Sequence, residues 1–232
     1  VSVAKVRAIH ESGFEREEGD FYPTPAWVTE CLLSSVKLRG PIWEPCCGDG
    51  ALAKVLLAAG HEVVATDLVD RGFGRGGVDL LKASEMPDDC RALVTNPPYG
   101  DGGARSRTGK ASLQMLAFTE HTIWLARQAQ GQLALLVRFQ WIAGRRVASL
   151  LTEASMQSVI VLTRRIQWFD RGRETKTAQH HHAWIFFDFA LPPARRPELI
   201  FAHRRDGQRN LRPPLEQAVL PLYGPPATDA DR

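Results

Sequence analysis

Apolar positions in this chain alternate between short continuous runs and stretches at helical spacing. Val28, Cys31, Leu32 and Val36 recur every three or four residues and predict a helix reaching about Leu38. Thr24 is expected as its N-cap and Pro25 as its first helical residue, where a missing N–H costs nothing. Gly40-Pro41 stops it. Ile42-Trp43-Glu44 reads as a short strand running into Pro45-Cys46-Cys47-Gly48-Asp49-Gly50. Helical spacing then resumes at Leu52, Val55, Leu56 and Ala59, and Gly60 closes it. Residues 61–67 are a second strand that ends on Asp67.

The glycine-rich stretch 70–77 cannot sustain a helix, so the next crossover is abbreviated to a loop, and residues 78–81 are expected as a third short strand. Residues 91–95 form a fourth, which delivers Asn96 at its carboxyl end. A basic loop over 100–110 precedes a helix expected over about 112–130. The near-continuous apolar run 133–139 suits a central buried strand. Residues 145–153 are helical in pattern, 158–162 and 183–189 read as the last strands of the main sheet, and 198–203 as an extra edge strand. The sum is an open α/β sheet.

In such sheets ligands sit beyond the carboxyl ends of the strands. Gly48, Asp67, Asp79 and Asn96 all fall at such ends. A glycine turn between strand and helix, followed 17 positions after Gly50 by the strand-terminal Asp67, matches the pattern in which an acid takes ribose hydroxyls. Asn96-Pro97-Pro98-Tyr99 adds different chemistry. The Asn amide offers an acceptor and a donor pair. The prolines remove two backbone donors and hold the carbonyls outward, and the Tyr ring can stack on a flat partner.

Composition changes little in this picture; charge changes more. The 232 residues are 44% hydrophobic and 24% charged, as in an ordinary globular protein, and no apolar run approaches the length of a membrane span. The first twenty residues are polar and lack the apolar stretch of a signal peptide, so a cytoplasmic location is expected. Residues 1–100 carry 10 Lys and Arg against 15 Asp and Glu, a net −5; residues 101–232 carry 19 against 11, a net +8. A basic half suits a polyanion, since Lys and Arg contacts to phosphate supply most non-specific nucleic-acid affinity. Between the last two main strands, residues 163–182 interleave Arg164, Arg165, Arg171, Arg173 and Lys176 with Trp168 and Phe169. Such a mixture can track phosphates and stack bases. Cys31, Cys46, Cys47 and Cys90 lack zinc spacing, and in an extended segment only two of His180, His181 and His182 share a face, so no metal is expected.

Residues 21–25 (FYPTP), the turn Glu44-Pro45-Cys46-Cys47-Gly48-Asp49-Gly50, then Asp67, Asp79 and Asn96-Pro97-Pro98-Tyr99 resemble, in this order, the motifs of S-adenosylmethionine-dependent amino-methyltransferases. The resemblance is nearest to DNA adenine N6-methyltransferases with Asn-Pro-Pro-Tyr and covers about residues 21–189. It implies an α/β, Rossmann-like class I methyltransferase with a mainly parallel seven-stranded sheet and helices on both faces. It also implies S-adenosyl-L-methionine as cofactor. Tyr22, Thr24 and Pro25 would border its methionine part, and Glu44, Cys46, Gly48 and Gly50 would cradle it. Asp67 would take the ribose, and Asp79 and Leu80 the adenine. Asn96 and the Pro97 carbonyl would accept from the target amine, with Tyr99 stacking on the target base and Pro98 beside it.

The implied substrate is DNA ahead of RNA, with Arg105, Arg107, Arg164, Arg165, Trp168 and Arg171 as nucleic-acid contacts. RNA adenine, cytosine N4 and protein glutamine are the alternatives within the fold, and a non-catalytic binding module is the alternative outside it. The expected division is a lead-in over 1–20, a catalytic domain over 21–190 and a Pro- and Arg-rich extension over 191–232. Restriction-type relatives carry a sizeable target-recognition domain after the catalytic one, whereas about 40 residues follow Phe189 here. Recognition of a target sequence therefore falls to residues 163–182 and the 100–110 loop, or to a partner protein.

Overall fold

The computed structural model describes residues 22–87, 89–99, 110–168, 180–193 and 196–203, with only the backbone over 110–113. In chain order the elements are α1 (Ala26–Ser35), β1 (Ile42–Glu44), α2 (Ala51–Ala58), β2 (Val63–Ala65), β3 (Ala92–Thr95), α3 (Lys110–Gln128), β4 (Gln132–Arg138), α4 (Arg145–Glu153), β5 (Ser158–Leu162), β6 (His182–Asp188) and β7 (Glu198–Ala202). The strands form one seven-stranded sheet in the order β2-β1-β3-β4-β6-β5-β7. β6 runs antiparallel to both neighbours, and every other pairing is parallel. This is the Rossmann-like α/β architecture expected from the sequence.

Side-chain alternation builds two cores. Trp43, Leu93, Leu133, Leu135, Val137, Ile185 and Phe187 face one side and pack against α3 and α4 through Met115, Leu116, Leu125, Val147 and Leu151. Ile42, Ala92, Val94, Ala134, Leu136, Trp184 and Phe186 face the other and meet α1 and α2 through Val28, Leu32, Leu52 and Leu56. Each fully buried Leu or Ile contributes about 1.5–3 kcal/mol. Both buried indoles find partners, Trp43 at the Thr66 hydroxyl (3.0 Å) and Trp184 at the Val28 carbonyl (2.9 Å). At the amino end of β4, Asp188 takes an ion pair from Arg39 (2.6 Å) and a bond from Gln132 (2.9 Å), closing the sheet away from the glycine turn.

The strand count agrees with the expectation, but the membership differs. Residues 78–81 are not a strand. Leu80–Lys82 form a 3₁₀ turn whose first N–H groups are capped by Asp79, which accepts from Leu81 N at 3.1 Å. Gly72, Gly74 and Gly77 take positive φ in the preceding loop, which meets the end of β2 through an isolated Thr66–Arg75 bridge. The seventh strand is β7, with Leu199 and Phe201 exposed along its length.

Two further corrections concern α1. Pro25, not Thr24, occupies the cap and has no side-chain acceptor for a capping bond, while the Thr24 hydroxyl accepts from Asn96 Nδ2. The helix ends at Ser35 rather than Leu38; Ser34 and Ser35 turn their hydroxyls back onto the Cys31 carbonyl.

Gly50 adopts φ +80° at the start of α2, and a Cβ there would lie 2.4 Å from the Phe73 ring. Left-handed strain alone costs an L-residue about 1–2 kcal/mol. Gly50→Ala is therefore expected to lower unfolding free energy by at least about that amount, read as a reduced urea midpoint.

Candidate functional site

β1, β2 and β3 end together, so Glu44, Asp67 and Asn96 converge on one rim of the sheet. They wall a cavity of about 250 Å³ together with Tyr22, Thr24, Cys46, Cys47, Gly48, Asp49, Leu68, Val69, Arg71, Asp79, Leu80, Pro97, Pro98, Tyr99, Gln114 and Phe118. Of the residues expected around the cofactor, Pro25 and Gly50 are not in this lining; they cap α1 and α2. Asp49, Leu68, Val69, Arg71 and Phe118 were not anticipated. Asp49 lies inside the glycine motif itself, and the others come from loop and helix positions with no local signal.

Four N–H groups of the glycine turn are taken up within the protein. Cys47 N–H donates to the Thr66 carbonyl (3.0 Å), Gly48 N–H to Asp67 Oδ2 (2.8 Å), Gly50 N–H to the Cys47 carbonyl (2.8 Å) and Ala51 N–H to Asp49 Oδ1 (3.1 Å). An anion cradle needs such groups free. Among the described residues the lining instead presents four acidic side chains, Glu44, Asp49, Asp67 and Asp79, and one guanidinium, that of Arg71. This pocket suits a hydroxylated, cationic ligand better than a phosphorylated one.

Asp67 ties the turn to β2, its second oxygen accepting from Val69 N–H at 2.9 Å. Glu44 is buried with Oε2 unpartnered. Desolvation holds its carboxyl well above the ordinary 4.5; the Ala53 N–H opposes this, and Asp67 and Asp49 add to it. The thiols beside it are inert, the Cys47 thiol pushed up to about 12 by desolvation and the neighbouring carboxylates.

Asn96 donates from Nδ2 to the Tyr22 carbonyl (3.3 Å) and to Thr24 Oγ1 (3.2 Å), while its Oδ1 is buried without a partner. An unsatisfied buried carbonyl costs about 1–3 kcal/mol, so this acceptor is poised for an outside donor. Beside it, Tyr99 anchors its hydroxyl on the Leu136 carbonyl (3.1 Å), with the Arg138 guanidinium 5.2 Å from the ring centroid. Tyr22, Trp168, His182 and Tyr99 form a chain of rings with centroids 5.7, 5.3 and 6.1 Å apart. His182 is buried, its Nδ1 is unpartnered, and burial with nearby Arg138 lowers its pKa to about 3. The ring is therefore neutral. The sequence drew attention to this histidine only within the triplet His180-His181-His182, for which no metal was expected.

Trp168, expected as a substrate contact, lies in this ring cluster. Arg164 and Arg165 are exposed just beyond β5, Arg165 bonding His181 at 3.2 Å. Arg105, Arg107, Phe169, Arg171, Arg173 and Lys176 lie outside the described residues, as do the lead-in and residues 204–232. Among the described residues, no helix is long and apolar enough to cross a membrane.

No protein-family model and no curated protein matches the chain. Solved structures do. One is a Listeria monocytogenes protein provisionally assigned as a class I S-adenosylmethionine-dependent methyltransferase (15% identity, TM-score 0.48, covering 76% of this chain and 62% of that one). Another is the modification subunit of a provisionally assigned type I restriction enzyme from Vibrio vulnificus (14%, 0.48, 83% and 48%). A third is the 23S rRNA methyltransferase ErmE (13%, 0.46, 72% and 68%). The chain thus spans about half to two thirds of the length of the first two. Likeness at this level leaves the chemistry to the geometry of the site.

Glu44 makes that geometry pH-sensitive. Its folded pKa lies above the unfolded value near 4.5, so the folded state holds the proton more tightly. Stability is therefore lost as pH rises from that value through the folded pKa. Glu44→Gln removes this slope: the melting temperature of the variant, relative to the native protein, is expected to be higher at pH 8 than at pH 5.

Proposed function

We propose that this protein transfers a methyl group from S-adenosyl-L-methionine to the exocyclic amine of a nucleic-acid base, foremost adenine N6 in DNA. The observation that carries this reading is Asn96 Oδ1, a buried acceptor without a partner at the carboxyl end of β3, bordering the acidic cavity and the ring cluster.

The lining fits the donor. The unpartnered Glu44 Oε2 and the surrounding carboxylates suit a cation, and Leu68, Val69, Leu80 and Phe118 suit a purine ring. Asp67 gives each oxygen to one backbone N–H, leaving lone pairs for a vicinal diol. Bound there, S-adenosylmethionine would supply a sulfonium-activated methyl group.

The chain's own residues act on the acceptor. An exocyclic adenine amine is a poor nucleophile because its lone pair is delocalised into the ring. Asn96 Oδ1 and the Pro97 carbonyl, accepting its two hydrogens, favour a more tetrahedral nitrogen as positive charge develops, which stabilises the transition state. A base leaving a duplex loses a few kcal/mol of stacking and pairing. The Tyr99 ring, held at an angle to the rings beside it, would offer its own face to stack on the base and offset part of that loss, which supports a planar base over a glutamine side chain. Arg164 and Arg165, exposed on the same rim, would follow the phosphates.

Labelled cofactor incubated with unmethylated DNA, RNA and protein extract, followed by digestion, identifies the product. N6-methyladenine from DNA is expected; label confined to RNA or on glutamine overturns the assignment. Asn96→Ala is expected to slow transfer by about 100-fold or more while cofactor binding persists, the magnitude seen when a transition-state hydrogen bond is removed. Replacing Arg164 and Arg165 by Gln should flatten the salt dependence of DNA binding, by about one unit of slope for each phosphate no longer neutralised.

A further inference from the structure

We infer that Thr24 is a positioning residue: its hydroxyl, with the Tyr22 carbonyl, sets the Asn96 side-chain amide so that oxygen rather than nitrogen faces the acceptor. This rests on the role proposed for Asn96 and assigns Thr24 a task other than bordering the cofactor.

The two ends of an Asn side chain are nearly equal in size, so hydrogen bonds decide which way it lies. Here both hydrogens of Nδ2 are spoken for, one by the Tyr22 carbonyl at 3.3 Å and one by Thr24 Oγ1 at 3.2 Å. In the reversed orientation Oδ1 would face the Tyr22 carbonyl oxygen, acceptor against acceptor; the Thr24 hydroxyl, able to donate or accept, follows that choice and holds the amide in place. A donor NH₂ would then face the cavity, where it would repel an amine's hydrogens. The clamp determines whether Asn96 can accept at all.

Three observations give Thr24 its part. It is 5% exposed, so its hydroxyl meets little competing water. It directly precedes Pro25, the cap of α1, so the start of the helix fixes its backbone. It is 72 positions from Asn96 in the chain, and the segment carrying it also lines the cavity. The amine grip is thus oriented from the donor's side of the site.

Thr24→Val keeps the shape and removes the acceptor; Thr24→Ser keeps the acceptor. Single-turnover label transfer, with cofactor and DNA both saturating, is expected to fall about tenfold in Thr24→Val, as for one lost hydrogen bond felt at the transition state, and to recover in Thr24→Ser. The cofactor dissociation constant should change by less than about twofold, since the clamp acts through Asn96. A raised dissociation constant with an unchanged single-turnover rate returns Thr24 to the cofactor and overturns the inference. Amide NMR on ¹⁵N-labelled protein supplies a readout independent of activity. The Asn96 NH₂ pair is expected to shift and exchange faster in Thr24→Val and to stay in place in Thr24→Ser. An unmoved pair in Thr24→Val overturns the clamp whatever the protein methylates. A moved pair in a protein whose native form transfers no label to any base overturns the function and leaves the clamp standing.

Discussion

The parallel register of β1, β2 and β3 is the constraint on which everything else rests. Ile42, Trp43 and Glu44 pair with Val63, Val64 and Ala65 on one side, and Ile42 and Trp43 with Ala92 and Leu93 on the other. Parallel pairing in register brings three strand ends to one rim, so Glu44, the turn after it, Asp67 and Asn96 become neighbours without any long loop to hold them. Alternation along the same strands sends Trp43 into one core and Ile42 into the other, and the turn emerges between two packed layers. The bond from Gly48 N–H to Asp67 then locks the tips of β1 and β2 together, at 2.8 Å across 19 positions of sequence.

What the chain discloses in advance follows the range of the forces involved. β5 and α4 have the bounds their patterns predict, because a run of β-branched residues or a heptad-like face is decided within itself. Residues 78–81 mislead because Leu80 and Leu81 are apolar while Asp79 caps a turn, and the cap wins over three residues of weak strand preference. Thr24 misleads for the opposite reason: its local grammar is that of a cap, but a bond across 72 positions takes its hydroxyl. His182 was visible as a residue and not as a depth. Period-two reasoning assigns it a face, whereas its burial comes from Trp168 and Tyr99 closing over the end of β6.

The glycine turn is legible in its position, whereas the use of its N–H groups is not. Its place between β1 and α2 was evident, and in a dinucleotide site its N–H groups would hold phosphate. Here those of Cys47, Gly48, Gly50 and Ala51 satisfy carbonyls and carboxylates of the protein itself. The glycines serve backbone shape, φ +56° at Gly48 and +80° at Gly50, and the close approach of Phe73. What faces the cavity is carboxylate.

That outcome explains the charge asymmetry of the chain, which composition alone left as a general affinity for polyanions. The net −5 of residues 1–100 includes Glu44, Asp49, Asp67 and Asp79, all on the cavity wall. Arg138, Arg164 and Arg165, from the basic half, lie at or just past the ends of β4 and β5. Two fields of opposite sign therefore share one rim. At the cavity a phosphate would meet the acidic side chains of Asp49, Asp67 and Asp79, and a cation is favoured there. Beside it the guanidiniums invert the preference. A polyanion drawn to the basic side would thus be kept from filling the acidic cavity, and the two sides meet at Asn96-Pro97-Pro98-Tyr99.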